Sequence, residues 1–395
     1  MTWRGYPLDR PFLITLLCLV GIGLLMVFSA SMYTSVNNGD SGYSSFVKQG
    51  LFACLGVLVM LVISCMNFRV FNDFNKLKWA LIIVGGLLAL VLVPGIGIKV
   101  NDARRWLGYG SLTFQPSELA KIIGIMYLAS LITTYPERIT NWKDLIIWVF
   151  LPMLAVCGLT AMEPSLSAAM AIAVGMMAVL WFGMLNKRFI TPVVLVGLGI
   201  VGALILAESW RWQRILAMFS QSTVNYQIKQ SLVAFGSGGL FGVGLGNGKQ
   251  KLLFLPELAN DFIFANIGEE FGLVGCLIVL GLYGYLIYRG FRIAFACKNK
   301  FGQLYTCSVM TLLGFQVFVN IGVAISALPV TGMALPFISY GGTSIVVLFA
   351  MMGPIMNISR TVSIPGKRIR LFNRTVSQKK KRKKRHGTQT ERGTQ

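Results

Sequence analysis

Four of the chain's fourteen acidic residues lie in one stretch, Leu255 to Gly272: Glu257, Asp261, Glu269 and Glu270. Asp261 sits at the seam between polar Asn260 and apolar Phe262-Ile-Phe264. A carboxylate at such an edge is partly desolvated, which raises its basicity, yet it keeps a route to water. The dipole at a helix start would explain one acid there easily and four poorly. The single histidine, His386, stands in a polar segment near the C-terminus, so histidine acid–base chemistry and histidine-rich metal sites are excluded from the body of the chain. Any proton transfer must fall to carboxylates. If 257–270 is helical, Glu257 and Asp261 are one turn apart and Glu269 faces broadly the same side.

Three further segments carry chemistry-bearing residues. Arg104 and Arg105 precede Trp106. They suit either an interfacial anchor, with the indole at headgroup depth, or a guanidinium clamp on phosphate or pyrophosphate. In Pro116-Ser-Glu-Leu-Ala-Lys121 the proline suits a first helical turn, and Glu118 and Lys121 share a face three residues apart. They either pair with each other or face a substrate. Between 320 and 344, Pro329 and Pro336 with Gly332, Gly341 and Gly342 predict a re-entrant or broken-helix element. Such backbone survives at membrane depth only where protein or a watery cavity covers it.

The elements that must position these residues are membrane helices. The chain is 55% hydrophobic and 13% charged, and apolar runs near the ~20 residues that cross a bilayer recur throughout. They predict an all-α polytopic membrane protein of about ten spans, near 11–32, 46–66, 77–97, 117–134, 145–162, 166–184, 189–207, 266–288, 304–327 and 339–358. Basic residues gather in the loops on the side of the two termini, which the positive-inside rule places in the cytoplasm. The exceptions, among them Arg104, Arg105, Lys249 and Lys251, concentrate after spans three and seven, against the topological preference. Some other need must hold them there.

No soluble domain is legible. The one long connection, about 208–265 between spans seven and eight, is expected on the extracytoplasmic side, and its glycine run Gly236–Gly248 predicts tight turns and close backbone approach. That run is no nucleotide loop, since Val243 and Gln250 stand where a Walker A pattern needs glycine and a hydroxyl residue. Residues 1–360 are expected to form the membrane domain. Residues 361–395 are expected to be a disordered cytoplasmic tail, whose run Lys379–Arg385 suits anionic lipid headgroups rather than nucleic acid. The first span is too long and too weakly basic at its start for a cleaved signal peptide. The seven cysteines show no redox or metal-ligand spacing and suit small apolar packing.

Taken in order, Ala103-Arg-Arg-Trp106, Phe114-Gln-Pro-Ser-Glu-Leu-Ala-Lys121, Asp261-Phe-Ile-Phe-Ala-Asn-Ile-Gly-Glu-Glu270, Leu328-Pro-Val-Thr-Gly332 and Leu335-Pro-Phe-Ile-Ser-Tyr-Gly-Gly342 resemble the SEDS family (shape, elongation, division and sporulation), the FtsW/RodA/SpoVE polytopic proteins of bacteria. The likeness covers roughly 10–360, and Gly244-Leu-Gly-Asn-Gly-Lys-Gln-Lys251 is nearer the division and sporulation branch. It implies a peptidoglycan glycosyltransferase that polymerises lipid II, working with a class B penicillin-binding protein and other divisome proteins. By motif, Asp261 corresponds to the family's essential aspartate, and Trp106, Glu118, Lys121 and Glu269 match positions the family needs. Arg104, Arg105, Lys121, Lys249 and Lys251 are candidate cations for a departing pyrophosphate. No cofactor is evident, and no ligand spacing demands a metal, although a divalent cation (Mg or Mn) could accompany the pyrophosphate. The chain departs from the family at Glu163-Pro-Ser-Leu166, where Gln-Pro-Asp-Leu is usual, and at Ala259-Asn260, where His-Thr is usual. A lipid flippase or transporter is the competing reading. It is disfavoured because no matching pair of interrupted spans appears in the two halves.

Overall fold

The computed structural model describes residues 8–37, 41–100, 103–109, 112–163, 165–183 and 226–362. The expected span at 189–207 and the polybasic tail lie outside the described residues. Ten helices organise the rest: α1 (Arg10–Asn37), α2 (Ser44–Cys65), α3 (Phe74–Leu92), α4 (Pro116–Thr134), α5 (Trp142–Met162), α6 (Leu166–Gly183), α7 (Tyr226–Gly238), α8 (Ile263–Ala296), α9 (Lys300–Ala324) and α10 (Gly342–Ser359). Among the described residues nine of these, all but α7, are long and apolar enough to cross a membrane. They match nine of the ten expected runs, and the protein is a multi-pass membrane protein.

Local sequence explains the helix starts. Asp9 caps α1 by accepting from Phe12 N (3.1 Å), Asp73 caps α3 by accepting from Lys76 N (3.3 Å), and Asn299 caps α9 by accepting from Gly302 N (3.1 Å). Each side-chain oxygen satisfies an amide that has no partner in the first turn. Pro116 opens α4, where its missing N–H leaves nothing unsatisfied. α4, α9 and α10 are mostly enclosed by their neighbours. α2, α3 and α5 instead turn Leu51, Leu58, Ile82, Ile83 and Leu151 outward. Those bare faces suit lipid and would be costly in water.

The sequence did not announce two features. Between α3 and α4 lies a three-stranded antiparallel sheet, β1 (Ile98–Val100), β2 (Ala103–Tyr109) and β3 (Leu112–Phe114), in the order β1-β2-β3. It is the only departure from all-α among the described residues. α7 is the second, a short helix that packs on α8 from within the long connection.

The condition of a helix across 257–270 is not met. The helix begins only at Ile263, so Glu257 and Asp261 precede it. Glu257 adopts φ +55°, and its carbonyl accepts from the amides of Asn260 and Asp261 (3.1 and 3.0 Å), closing a tight turn. The spacing of one turn between Glu257 and Asp261 is kept, without the helix.

The break expected between the last two spans is present. α9 ends at Ala324, irregular backbone runs over 325–341, and α10 resumes at Gly342. α8 contains a second interruption at Gly272 (φ 66°, ψ −163°). The helical bonds lost there are replaced by the glycine run. Val243 N and Gly244 N donate to Glu269 O and Glu270 O (3.0 and 3.1 Å), while Leu273 N and Val274 N donate to Gly239 O and Leu240 O (2.9 and 3.1 Å). A Cβ on Gly242 would lie 2.2 Å from Glu270 O, so only glycine permits this approach.

Candidate active site

Asp261 is held from behind by its main chain. Its amide donates to Glu257 O (3.0 Å) and its carbonyl accepts from Asn320 Nδ2 (2.9 Å) on α9. The same Asn320 nitrogen donates to Met333 O (2.7 Å), tying the irregular segment to the turn. Gly332 (φ +68°) lies under the carboxylate, and a Cβ there would be 3.5 Å from Asp261 Oδ2. Neighbouring bonds complete the cradle: Ser339 Oγ donates to Asn260 O, and Tyr340 N donates to Ala259 O (2.9 Å). Gln49 of α2 donates to Ser339 O (3.2 Å) and accepts from Gly341 N (3.1 Å).

Burial raises the Asp261 carboxyl from 3.8 to about 6, the charge of Glu257 adds to the rise, and Arg105 opposes it. A base poised in this range is ionised near neutrality and still holds a proton usefully. The Arg105 guanidinium also donates through Nε to Glu163 O (3.2 Å). The Glu163 side chain is fully buried with neither oxygen hydrogen-bonded, and burial pushes its carboxyl up to about 8 against the pull of Arg105. Arg105 thus acts on two carboxyl groups from different segments.

The remaining expected residues fall into three groups. Arg104 and Arg105 are adjacent on β2, where the register against β1 shifts: Lys99 lies opposite Arg104 and Ile98 opposite Trp106, so Arg105 is the extra residue of a bulge. Arg104, Arg105 and Trp106 are half-buried. Glu118 and Lys121 pair at 2.7 Å with both side chains largely buried, and Ser344 Oγ of α10 donates to the other Glu118 oxygen (3.2 Å). Glu269 faces the 249–250 backbone, accepting from Lys249 N (2.8 Å) and Gln250 N (3.2 Å). The side chain of Lys249 is exposed, whereas Lys251 is tied to Glu270, Ser29 and Gly246. Among the described residues no group of three or more His, Cys, Asp or Glu side chains gathers as a metal cage.

Sequence reasoning passed over Gln49, Asn320 and Ser29 as site residues, and met Glu163 only as a departure from the family's pattern. The available signal was polarity inside apolar runs, since a buried amide or hydroxyl at membrane depth is retained only when bonded or used.

The sequence model of the FtsW/RodA/SpoVE family, described as cell cycle protein, matches residues 10–364. This chain belongs to the FtsW/RodA/SpoVE family. It is similar to a protein of Geobacter metallireducens named probable peptidoglycan glycosyltransferase FtsW, with 34% identity over 89% of this chain and 94% of that one. Stage V sporulation protein E of Bacillus subtilis is 35% identical over 91% of this chain and 99% of its own length. Among solved structures, the rod shape determining protein RodA of Thermus thermophilus matches with a TM-score of 0.66 and 30% identity, covering 89% of this chain and 97% of that one. That protein was also solved as an aspartate-to-alanine mutant. A chain from a peptidoglycan synthase complex, studied for its coordination of polymerization and crosslinking, matches with a TM-score of 0.71 and 28% identity, covering 89% of this chain and 98% of that one.

Proposed function

We propose that this chain is a peptidoglycan glycosyltransferase that polymerises lipid II at the outer face of the cytoplasmic membrane, with Asp261 as general base. The observation that carries this reading is the Asp261 carboxyl itself, desolvated to a basicity near 6 and braced by Asn320 and the Gly332 turn. The relatives' names supply the reaction class, and the residues supply a way to perform it.

The acceptor sugar's 4-hydroxyl gives its proton to Asp261 as its oxygen bonds to the donor's anomeric carbon. The bond from that carbon to undecaprenyl pyrophosphate breaks, and the electron pair leaves with the pyrophosphate. Because that leaving group is already acidic, no general acid is required. Its charge calls for cations, and Arg104, Arg105 and exposed Lys249 are the candidates for it. Trp106, beside them, would line the approach. The Glu118–Lys121–Ser344 link braces α4 against α10 at the first turns of both helices.

We assign its work to septal wall synthesis, in division or sporulation, with a class B penicillin-binding protein crosslinking the product. Both termini and the polybasic tail belong on the cytoplasmic side, the tail on anionic lipid. The test is polymerisation of purified lipid II by the full chain, with and without its penicillin-binding partner. Wild-type polymer and its loss in Asp261→Asn are expected. Translocation of lipid II in vesicles without polymer would replace this reading by a flippase. Labelling of residue 261 by impermeant reagents from the cytosolic side would exclude the active-site assignment.

A further inference from the structure

Lys251 reads in sequence as a cation awaiting the substrate, yet its ammonium is engaged within the protein. It donates to Glu270 Oε1 (3.2 Å), to Ser29 Oγ (3.3 Å) and to Gly246 O. An ammonium has three donors, so these three bonds leave none for a phosphate oxygen. The pair is largely enclosed, with side-chain exposure of 13% for Lys251 and 0% for Glu270. Ser29 Oγ of α1 itself donates to the same Glu270 oxygen (2.5 Å).

The adjacent carboxylate grips the same loop from its main chain, since Glu269 accepts from Lys249 N and Gln250 N. Gly248 passes so close that a Cβ there would lie 2.8 Å from Glu269 Oε2 and 3.2 Å from Glu270 Oε1. Just before it, the four backbone bonds across the Gly272 break bind 239–244 to α8. Loop, α8 and α1 therefore meet in one knot. The chain leaves this knot at Lys251 and arrives at Asp261, where Asn320, Ser339 and Tyr340 take over the anchoring.

We propose that Lys251, Glu270 and Ser29, with Glu269, form a positioning latch that fixes the loop upstream of Asp261. Lys251 and Glu270 act on the reaction through the placement of Asp261 and do not touch the substrate. This rests on the reading of Asp261 as the base. A misplacement of about 1 Å in a reacting group can lower a rate by about 10²-fold.

The experiment measures kcat and KM for lipid II polymerisation by the purified full-length chain, with thermal melts giving the folded fraction of each variant. Lys251→Met should lower kcat by about 10²-fold, with KM within about twofold of wild type. Glu270→Gln keeps an acceptor oxygen for Ser29 and Lys251 and should lose less. The charge-swapped Lys251→Glu/Glu270→Lys pair should recover at least about tenfold over Lys251→Met, because it restores the buried pair in reverse. If the swap does not fold, Lys251→Met/Glu270→Gln carries the comparison, since it leaves no unpaired buried charge and should also exceed Lys251→Met. A raised KM with unchanged kcat in Lys251→Met would make Lys251 a substrate cation and overturn the latch. So would folded double variants no better than the single one, or wild-type kinetics throughout. Failure of the wild-type chain to make polymer would instead overturn the glycosyltransferase reading, and the latch with it.

Discussion

Asn320 of α9 holds Asp261 by its carbonyl, with Nδ2 2.9 Å from Asp261 O. The same amide reaches Met333 O at 2.7 Å, so one side chain sets the distance between the Asp261 turn and the Gly332 segment beneath it. Asn320→Ala leaves two enclosed carbonyls short of a donor, each such loss being worth about 1–3 kcal/mol. We expect a lower melting temperature and a kcat reduced by about tenfold or more. Asn320→Asp, which presents no donor when ionised, should be worse. Polymerisation kinetics and thermal melts on both variants check this.

Asp261 must be ionised to accept a proton, so polymerisation should rise with pH through about 6 and level off above it. Asp261→Asn removes the base and should lower kcat by about 10²–10⁴-fold. Its effect on stability has the opposite sense. The folded-state value of about 6 lies above the ordinary 3.8, so the folded protein binds the extra proton and loses stability as pH climbs between those values. At pH near 8 the asparagine variant should melt at or above the wild-type temperature. Melting curves against pH test the sign.

Glu163 should show the same linkage in a higher window. Its carboxyl, at about 8 in the fold against an ordinary 4.5, is neutral at pH 7 and becomes charged without a hydrogen bond above that. Stability falls as pH rises from 4.5 through about 8. Glu163→Gln mimics the neutral form. It should match wild type in a melt at mildly acidic pH and exceed it at pH near 9.

The Glu118–Lys121 pair should be costly to break from one side only. Lys121→Met strands a mostly buried carboxylate, a loss of about 3–5 kcal/mol for such pairs. Glu118→Gln/Lys121→Met, which removes both charges, should recover most of that in detergent melts.

Gly242 tests the seam at the α8 break. It combines φ +81° with a virtual Cβ 2.2 Å from Glu270 O, so alanine meets both backbone strain and a clash with main chain. The strain alone is worth about 1–2 kcal/mol. Gly242→Ala should reduce folded yield sharply, whereas Gly236→Ala, which meets open space, should not. Size-exclusion profiles of the two variants distinguish them.

Much of this was legible in advance because hydrophobic run length and charge placement are local quantities. Nine expected spans appear as helices at nearly the expected positions, and the Pro/Gly-rich break before α10 follows from backbone chemistry at Pro329, Gly332 and Pro336. The sheet over 98–114 was missed because its strands are three to seven residues long and hold too few alternations to register. Whether 257–270 is helical was left open because spacing alone cannot distinguish a helical turn from the turn that closes on Glu257 O.

The sequence by itself determined that this is a helical membrane protein whose proton chemistry must rest on carboxylates, since it offers long apolar runs and no histidine in its body. It also singled out Asp261, by the abrupt change from polar to apolar neighbours. Only the tertiary structure decided which charges are engaged and which stand open. Lys249 and Lys251 are two residues apart and equivalent in any reading by type, yet one is exposed and the other gives its ammonium to Glu270, Ser29 and Gly246. Whether a charge is engaged depends on the groups that long-range packing brings within hydrogen-bond reach, and Ser29 and Glu270 lie far from Lys251 and from each other along the chain.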